Sequence, residues 1–426
     1  MTAVLGILNK QAIAIAADSA VTIDGYNGRK IFNKANKIFS LSKHHPVGVM
    51  LYNSASFMST PWEVIIKVYR KQLKEKAFSQ LSEYVNDFIA FLKTNNYFTS
   101  DEVQMYRMAQ TSYNLLKELV ELFERQNADL KNMEEEEIKE FFHARFILFL
   151  ENIKDQVSAS DTICDEFINW DFECFIQYAK PITNDILEGF DILKGVNKVH
   201  ELFHEILFDV IRSKNDLSGY TGLIFVGYGD AEIYPRLIPV HIADVVDNKL
   251  RYYIDEKMSG SVSDSNSGII RPFAQTDVID TILSGVDPTL NNIYMDNFGL
   301  LLKKYNEAIL SNIGTEHDVL RTQIQELNTD SILEEYIRLN NEIRNERYIA
   351  PLMNAVSSLS KEDLAEMAES LIYLTYLKRR ITFAEESVGG PVDVAIISKG
   401  DGFIWIKRKH YFQPELNSHF FKNYLK

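Results

Sequence analysis

Cys164 and Cys174 are the only cysteines in 426 residues. That is too few for a disulfide framework or a cysteine-rich metal site, and it fits a reducing compartment. Glycine (19) and proline (10) are also sparse, which favours helices over loops. Positive charge is short as well. The 45 Lys and Arg against 60 Asp and Glu leave a net −15, which argues against nucleic acid or anionic lipid as a nonspecific partner. Long apolar runs are missing too. Met1 to Ala17 comes nearest and ends like a signal-peptide cleavage site, but it has no basic head and Asn9-Lys10-Gln11 interrupts it. We read it as folded protein and the chain as cytoplasmic, with no membrane span.

What is present is a soluble globular chain, 46% hydrophobic and 25% charged, long enough for two or three domains or for one domain with large insertions, and far too long for a stapled mini-scaffold. Residues 2–8 and 12–17 are apolar runs flanking a three-residue polar turn, the pattern of a buried hairpin. Further strands are expected at 37–41, 47–52, 222–226, 237–242, 250–254, 392–397 and 402–406. Between them the period becomes helical: Leu81, Val85, Phe88 and Leu92 mark one stripe, and Thr99 with Glu102 resembles a capping box. Residues 60–215 and about 300–380 are therefore expected to be mostly helical. The strands come from both ends and the middle, so one β-rich core with two helical insertions is predicted.

The opening hairpin carries the most specific chemistry. With its turn centred on Lys10, paired positions sum to about 20, which sets Thr2 opposite Asp18. Removal of Met1 would leave Thr2 with a hydroxyl and a free α-amine in one residue, a nucleophile with its own base. Strand alternation turns Lys37 inward with Phe39 and Leu41, a direction that a lysine takes when it has a partner, and Asp18 is the natural one. Lys34 is the candidate if the register is off.

These residues resemble the N-terminal-nucleophile hydrolases of the proteasome β-subunit and bacterial HslV type: Thr2, fifteen residues, Asp18-Ser19-x-x-Thr22, then a lysine heading a strand, then a Gly-containing strand. The resemblance implies an α+β fold, a four-layer αββα sandwich of antiparallel sheets. Its core would be 2–58 with 216–290 and 365–412, and the helical insertions 60–215 and 291–364. It implies a threonine peptidase or amidohydrolase in which Thr2 attacks a peptide carbonyl, Asp18 orients it and Lys37 lowers its pKa. Glu385 and Ser387, before Gly389-Gly390, match the second active-site segment with Ser387 one place early. The oxyanion donor falls on Tyr52 or Asn53, and Ser19, Ala20, Thr22 and Gly389 would line the substrate strand. The family's third-helix serine has no clean counterpart near Ile270 to Gln275, where Gln275 or Asp277 stand in. The pocket would be walled by Ala20, Met50 and Phe57. No cofactor is expected. A peptide or protein substrate, a homo-oligomer and an AAA+ unfoldase are what the resemblance implies as partners.

Two alternatives stand beside this. One is a catalytically inactive scaffold of the same type. The other is a zinc metalloprotease through His200-Glu201-x-x-His204, whose imidazoles share a helix face, although the stripe of Val199, Phe203, Ile206 and Val210 already explains that helix by packing. The run Lys407-Arg408-Lys409-His410 reads as a solvated strand edge.

Overall fold

The structure, a computed structural model, describes residues 2–25, 28–94, 99–127, 135–158, 162–191, 193–215, 217, 219–313, 322–324, 329–382 and 388–419. Strands β1 (Ala3–Asn9), β2 (Ile13–Ala17), β3 (Val21–Gly25), β4 (Gly28–Phe32), β5 (Ile38–Ser40) and β6 (Val47–Asn53) come first, followed by the short pair β7 (Ser56–Phe57) and β8 (Thr60–Pro61). The middle of the chain supplies β9 (Thr221–Gly227), β10 (Arg236–Val246), β11 (Lys249–Ile254), β12 (Gly260–Ser261) and β13 (Gly268–Ala274), and the far end β14 (Asp393–Ser398) and β15 (Gly402–Lys407).

Helices α1 (Trp62–Leu73), α2 (Leu81–Thr94), α3 (Asp101–Gln126), α4 (Glu135–Ser158), α5 (Phe172–Glu188) and α6 (Asn197–Arg212) fill the first interval. The second holds α7 (Asp277–Ser284), α8 (Pro288–Asn312), α9 (Thr329–Arg344), α10 (Ala350–Ser358) and α11 (Lys361–Ile381). Among the described residues no helix is long and apolar enough to cross a membrane.

The fold is α+β with antiparallel sheets. One sheet has the order β13-β1-β2-β14-β15, the other β11-β10-β9-β6-β5 with β12 along β10. Every residue of β1 and β2 is buried, because both faces are covered, and the sequence accordingly shows continuous apolar runs instead of polar alternation. Period 2 divides them. Ala3, Leu5, Ile7, Ala12, Ala14 and Ala16 pack with Leu364, Ala368 and Ile372 of α11, where the alanines let the helix lie close. Val4, Leu8, Ile13 and Ile15 face Met50, Ile224 and Val226 of the other sheet. That sheet's outer face packs on α1 and α2 through Trp62, Ile66, Tyr69 and Phe88. Helices α3 to α6 share a separate aromatic core around Phe123, Phe146, Trp170 and Phe175. Helices α8 and α9 have no buried residue.

Several sequence expectations change. The hairpin pairs Val4 with Ala17 and Leu5 with Ala16, one step away from the expected register. The cause is the turn: the Asn9 side-chain oxygen accepts the N–H groups of Gln11 and Ala12, which centres it between Lys10 and Gln11. Ile270 to Ala274, aligned with a helix start, is instead edge strand β13, where Pro272 is tolerated. Ser100, not Thr99, caps α3, and it makes no side-chain cap bond. The expected boundaries at 290/291 and 364/365 fall inside α8 and α11.

Candidate active site

The site forms where β1 begins and β2 ends. Asp18 donates its N–H to the Ala3 carbonyl at 3.2 Å, and its carboxylate takes four donors. Oδ1 accepts the Ala3 N–H at 3.0 Å and the Lys37 ammonium at 2.6 Å. Oδ2 accepts the N–H groups of Ala20 at 3.1 Å and Gly389 at 3.0 Å. The side chains of Asp18 and Lys37 are each 1% exposed. Charge so far from water persists only when it is paired and hydrogen-bonded, as it is here. The pair also joins the two sheets, since Asp18 follows β2 and Lys37 precedes β5. Burial pushes the Lys37 ammonium below the ordinary lysine range, with Asp18 pulling it back up.

Thr2 is 5% exposed, and its carbonyl accepts the Gln275 N–H at 3.0 Å. One oxygen of Asp18 holds both the residue after Thr2 and Lys37, so the ammonium lies two hydrogen bonds from the peptide nitrogen that follows Thr2. Thr2, Asp18 and Lys37, proposed from the sequence, are thus brought together, although Asp18 sits opposite Ala3, not Thr2. Lys34 is exposed.

The neighbours serve as frame. Ser19 donates its N–H to the Gly389 carbonyl at 3.0 Å and its hydroxyl to the Pro391 carbonyl at 2.5 Å. Gly390 has φ +75°, and a Cβ there would meet the Asn33 carbonyl oxygen at 2.8 Å, so only glycine fits this turn. Thr22 lies in β3, with its side chain outside the described ones. Glu385 and Ser387 lie outside the described residues. Met50 and Phe57 are fully buried, Met50 between the sheets and Phe57 against Trp62, so neither walls an open pocket.

Tyr52 and Asn53 separate clearly. Leu51 donates its N–H to the Lys37 carbonyl at 2.9 Å, and alternate strand N–H groups share a side. The Asn53 N–H therefore faces the Lys37 side and that of Tyr52 faces β9. Asn53 also has φ 67°, a left-handed backbone that asparagine tolerates. The Tyr52 ring stacks on Phe273 and its hydroxyl meets His241 Nε2 at 2.8 Å. The other His241 nitrogen meets the Tyr253 hydroxyl. Burial holds His241 below its usual pKa of 6.5 and raises Tyr52.

His204 Nε2 is engaged by the Thr183 hydroxyl at 2.6 Å, and burial lowers its pKa. Among the described residues no group of three or more His, Cys, Asp or Glu is placed to hold a metal ion, so His200, Glu201 and His204 lack the third ligand that a zinc site needs. The basic run at the end of β15, Lys407 to His410, is only partly a solvated edge. Lys409 bonds buried Asp393 through both its N–H and its ammonium, and Asp393 pairs with Ala17 across the sheet. Nothing in the local sequence signals that contact, nor the Tyr52-His241-Tyr253 cluster.

No family model matches the chain, and neither does any curated protein. Among solved structures it is similar to an Anbu (Gly-1) mutant from Hyphomicrobium sp. strain MC1, with 10% identity, coverage of 100% of this chain and 92% of that chain, and a TM-score of 0.29.

Proposed function

We propose that the chain is an N-terminal-nucleophile peptidase of the proteasome β-subunit type, working through Thr2 once Met1 is removed. The two sheets and their covering helices, α1 and α2 on one side and α10 and α11 on the other, would be the αββα core, with α3 to α6, α8 and α9 as insertions. The observation that carries the reading is the Asp18 carboxylate, which holds the peptide next to Thr2 and the Lys37 ammonium on one oxygen.

The chemistry follows from those positions. The Thr2 α-amine takes the hydroxyl proton as Oγ attacks the substrate carbonyl, and later returns it to the leaving amine. A cation beside the amine favours its neutral, basic form. Asp18 fixes Lys37 and the start of β1, so that nucleophile and base keep one geometry. The tetrahedral oxyanion requires a donor, and the Asn53 N–H, on the Lys37 side and in the left-handed conformation that glycine otherwise fills, is the candidate. Assembly into a homo-oligomer working with an unfoldase belongs to the same proposal.

Peptide turnover by four forms tests it, with intact mass reporting the N-terminus: wild type, Thr2→Ala, Thr2→Ser and a protein with an uncleavable N-terminal tag. Wild type lacking Met1 should turn over peptide and Thr2→Ser should retain part of that activity. The other two should be inactive, because the alanine has no hydroxyl and the tag turns the amine into an amide. Full activity with Met1 retained, or in the tagged protein, sinks the mechanism.

A further inference from the structure

Acidic residues outnumber basic ones 60 to 45 in this chain, yet two adjoining cavities reverse that balance. One, of about 550 Å³, is lined by Lys43, Lys67, Arg70, Lys71 and Lys74 against Glu75. The other, of about 430 Å³, brings Lys34, Lys67, Arg408 and Lys409 together with a single carboxylate, Glu63. Lys67 lies in both. The local cause of the first is the spacing 67, 70, 71, 74, which puts these residues on one face at the end of α1. In the second, the chain leaving β15 brings Arg408 and Lys409 across, together with Tyr411, which is 90% exposed.

Part of this charge is answered internally. Lys67 pairs with Glu63 at 2.5 Å, and Lys409 pairs with Asp393. Among the described residues, Lys34, Lys43, Lys71 and Lys74 have no carboxylate within ion-pair distance. The second cavity also borders the candidate site. Its wall includes Asn36, next to Lys37, and Pro391, whose carbonyl takes the Ser19 hydroxyl.

We propose that this face binds an acidic stretch of the polypeptide substrate, seating carboxylates along α1 and beside Tyr411 while a neighbouring segment reaches Thr2. The inference rests on the peptidase reading and names its substrate class. A peptide fits better than nucleic acid: the net charge of −15 repels a long phosphate backbone, whereas a short acidic segment meets only the local cations. Each exposed pair contributes little by itself, so recognition comes from several together and weakens with salt.

The test uses Thr2→Ala protein, which binds without turnover, and two fluorescein-labelled peptides of equal length, one Glu-rich and one with Gln in place of Glu. Anisotropy at low salt should show the acidic peptide bound roughly tenfold more tightly, with the gap closing as salt rises. Lys43→Glu with Lys71→Glu should erase that preference without lowering Tm, since both side chains are exposed. Lys304→Glu on α8 should leave it intact. Equal binding of the two peptides, or an unchanged preference in the double variant, overturns the proposal. Tighter binding of single-stranded DNA of matched charge also overturns it and reassigns the face to nucleic acid. Preference for the acidic peptide without turnover by the wild type would instead defeat the peptidase reading alone.

Discussion

Asp18 with Lys37, and His241 with Tyr52 and Tyr253, are both polar clusters taken out of water, but only the first carries full charges. The charged cluster sits between the sheets, and one carboxylate gathers four donors there. The neutral one stays within the second sheet, and each imidazole nitrogen meets one phenol. A histidine and two tyrosines satisfy each other at modest cost, whereas a buried ion pair is weak evidence for stability. A pair that costs desolvation beside a candidate nucleophile is better explained by chemistry than by packing.

The sharpest way to break that contrast is Asp18→Asn. Each oxygen of the carboxylate faces two donors, so whichever way the amide turns, its NH₂ group confronts two of them. Loss of stability of about 3–5 kcal/mol is expected, measured by denaturant unfolding, with peptide turnover lower by roughly a thousandfold. Near-wild-type turnover would strip the pair of its role. Lys37→Met comes next. It leaves the carboxylate buried with three N–H donors, and about 3 kcal/mol should be lost. Turnover should fall by at least a hundredfold, while Lys34→Met should behave as wild type. Tyr52→Phe tests the neutral cluster. One hydrogen bond to His241 disappears, stability should drop by about 1–2 kcal/mol, and turnover should stay within a few fold. A collapse of turnover in that variant would make the second cluster part of the site.

The smallest effect is with pH. Burial lowers the pKa values of His241 and His204 below 6.5 in the folded chain. As pH falls below 6.5 the unfolded chain binds protons that the folded chain does not, so stability declines with acidification until the folded values are reached. Tm measured from pH 7.5 downward should fall through this window, and less steeply in His241→Gln with His204→Gln. A flat or rising Tm in the wild type would show that the two histidines are not held neutral.

Thr2, Asp18 and Lys37 were legible because each bears a local mark: position after Met1, the end of an apolar run, and a lysine in phase with Phe39 and Leu41. The α+β class was legible for the same reason, since strand and helix periods differ. The hairpin register was not, because the Asn9 side chain decides the turn and periodicity carries no trace of that bond. Equally hidden were Asn53 as the residue facing Lys37, which needs φ and the strand ladder, and the bonds of Asp393 with Lys409 and of Tyr52 with His241, which join segments with no shared pattern. The cationic cavities escaped for a related reason. Their residues come from α1, the loops on either side of β5 and the exit from β15, and each group alone is an ordinary solvated run.

The bond from the Gly389 N–H to Asp18 joins residues 371 positions apart, and β14 is the strand that pairs with β2 beside it. At about 5–20 residues per second, roughly 20–75 seconds separate synthesis of the two partners on the ribosome. Until β14 emerges, β2 has an open edge and the Asp18 carboxylate lacks one of its donors. Nascent chains therefore carry an unassembled cluster, and the four-donor arrangement around Asp18 closes only once the β14 end of the sheet has been made.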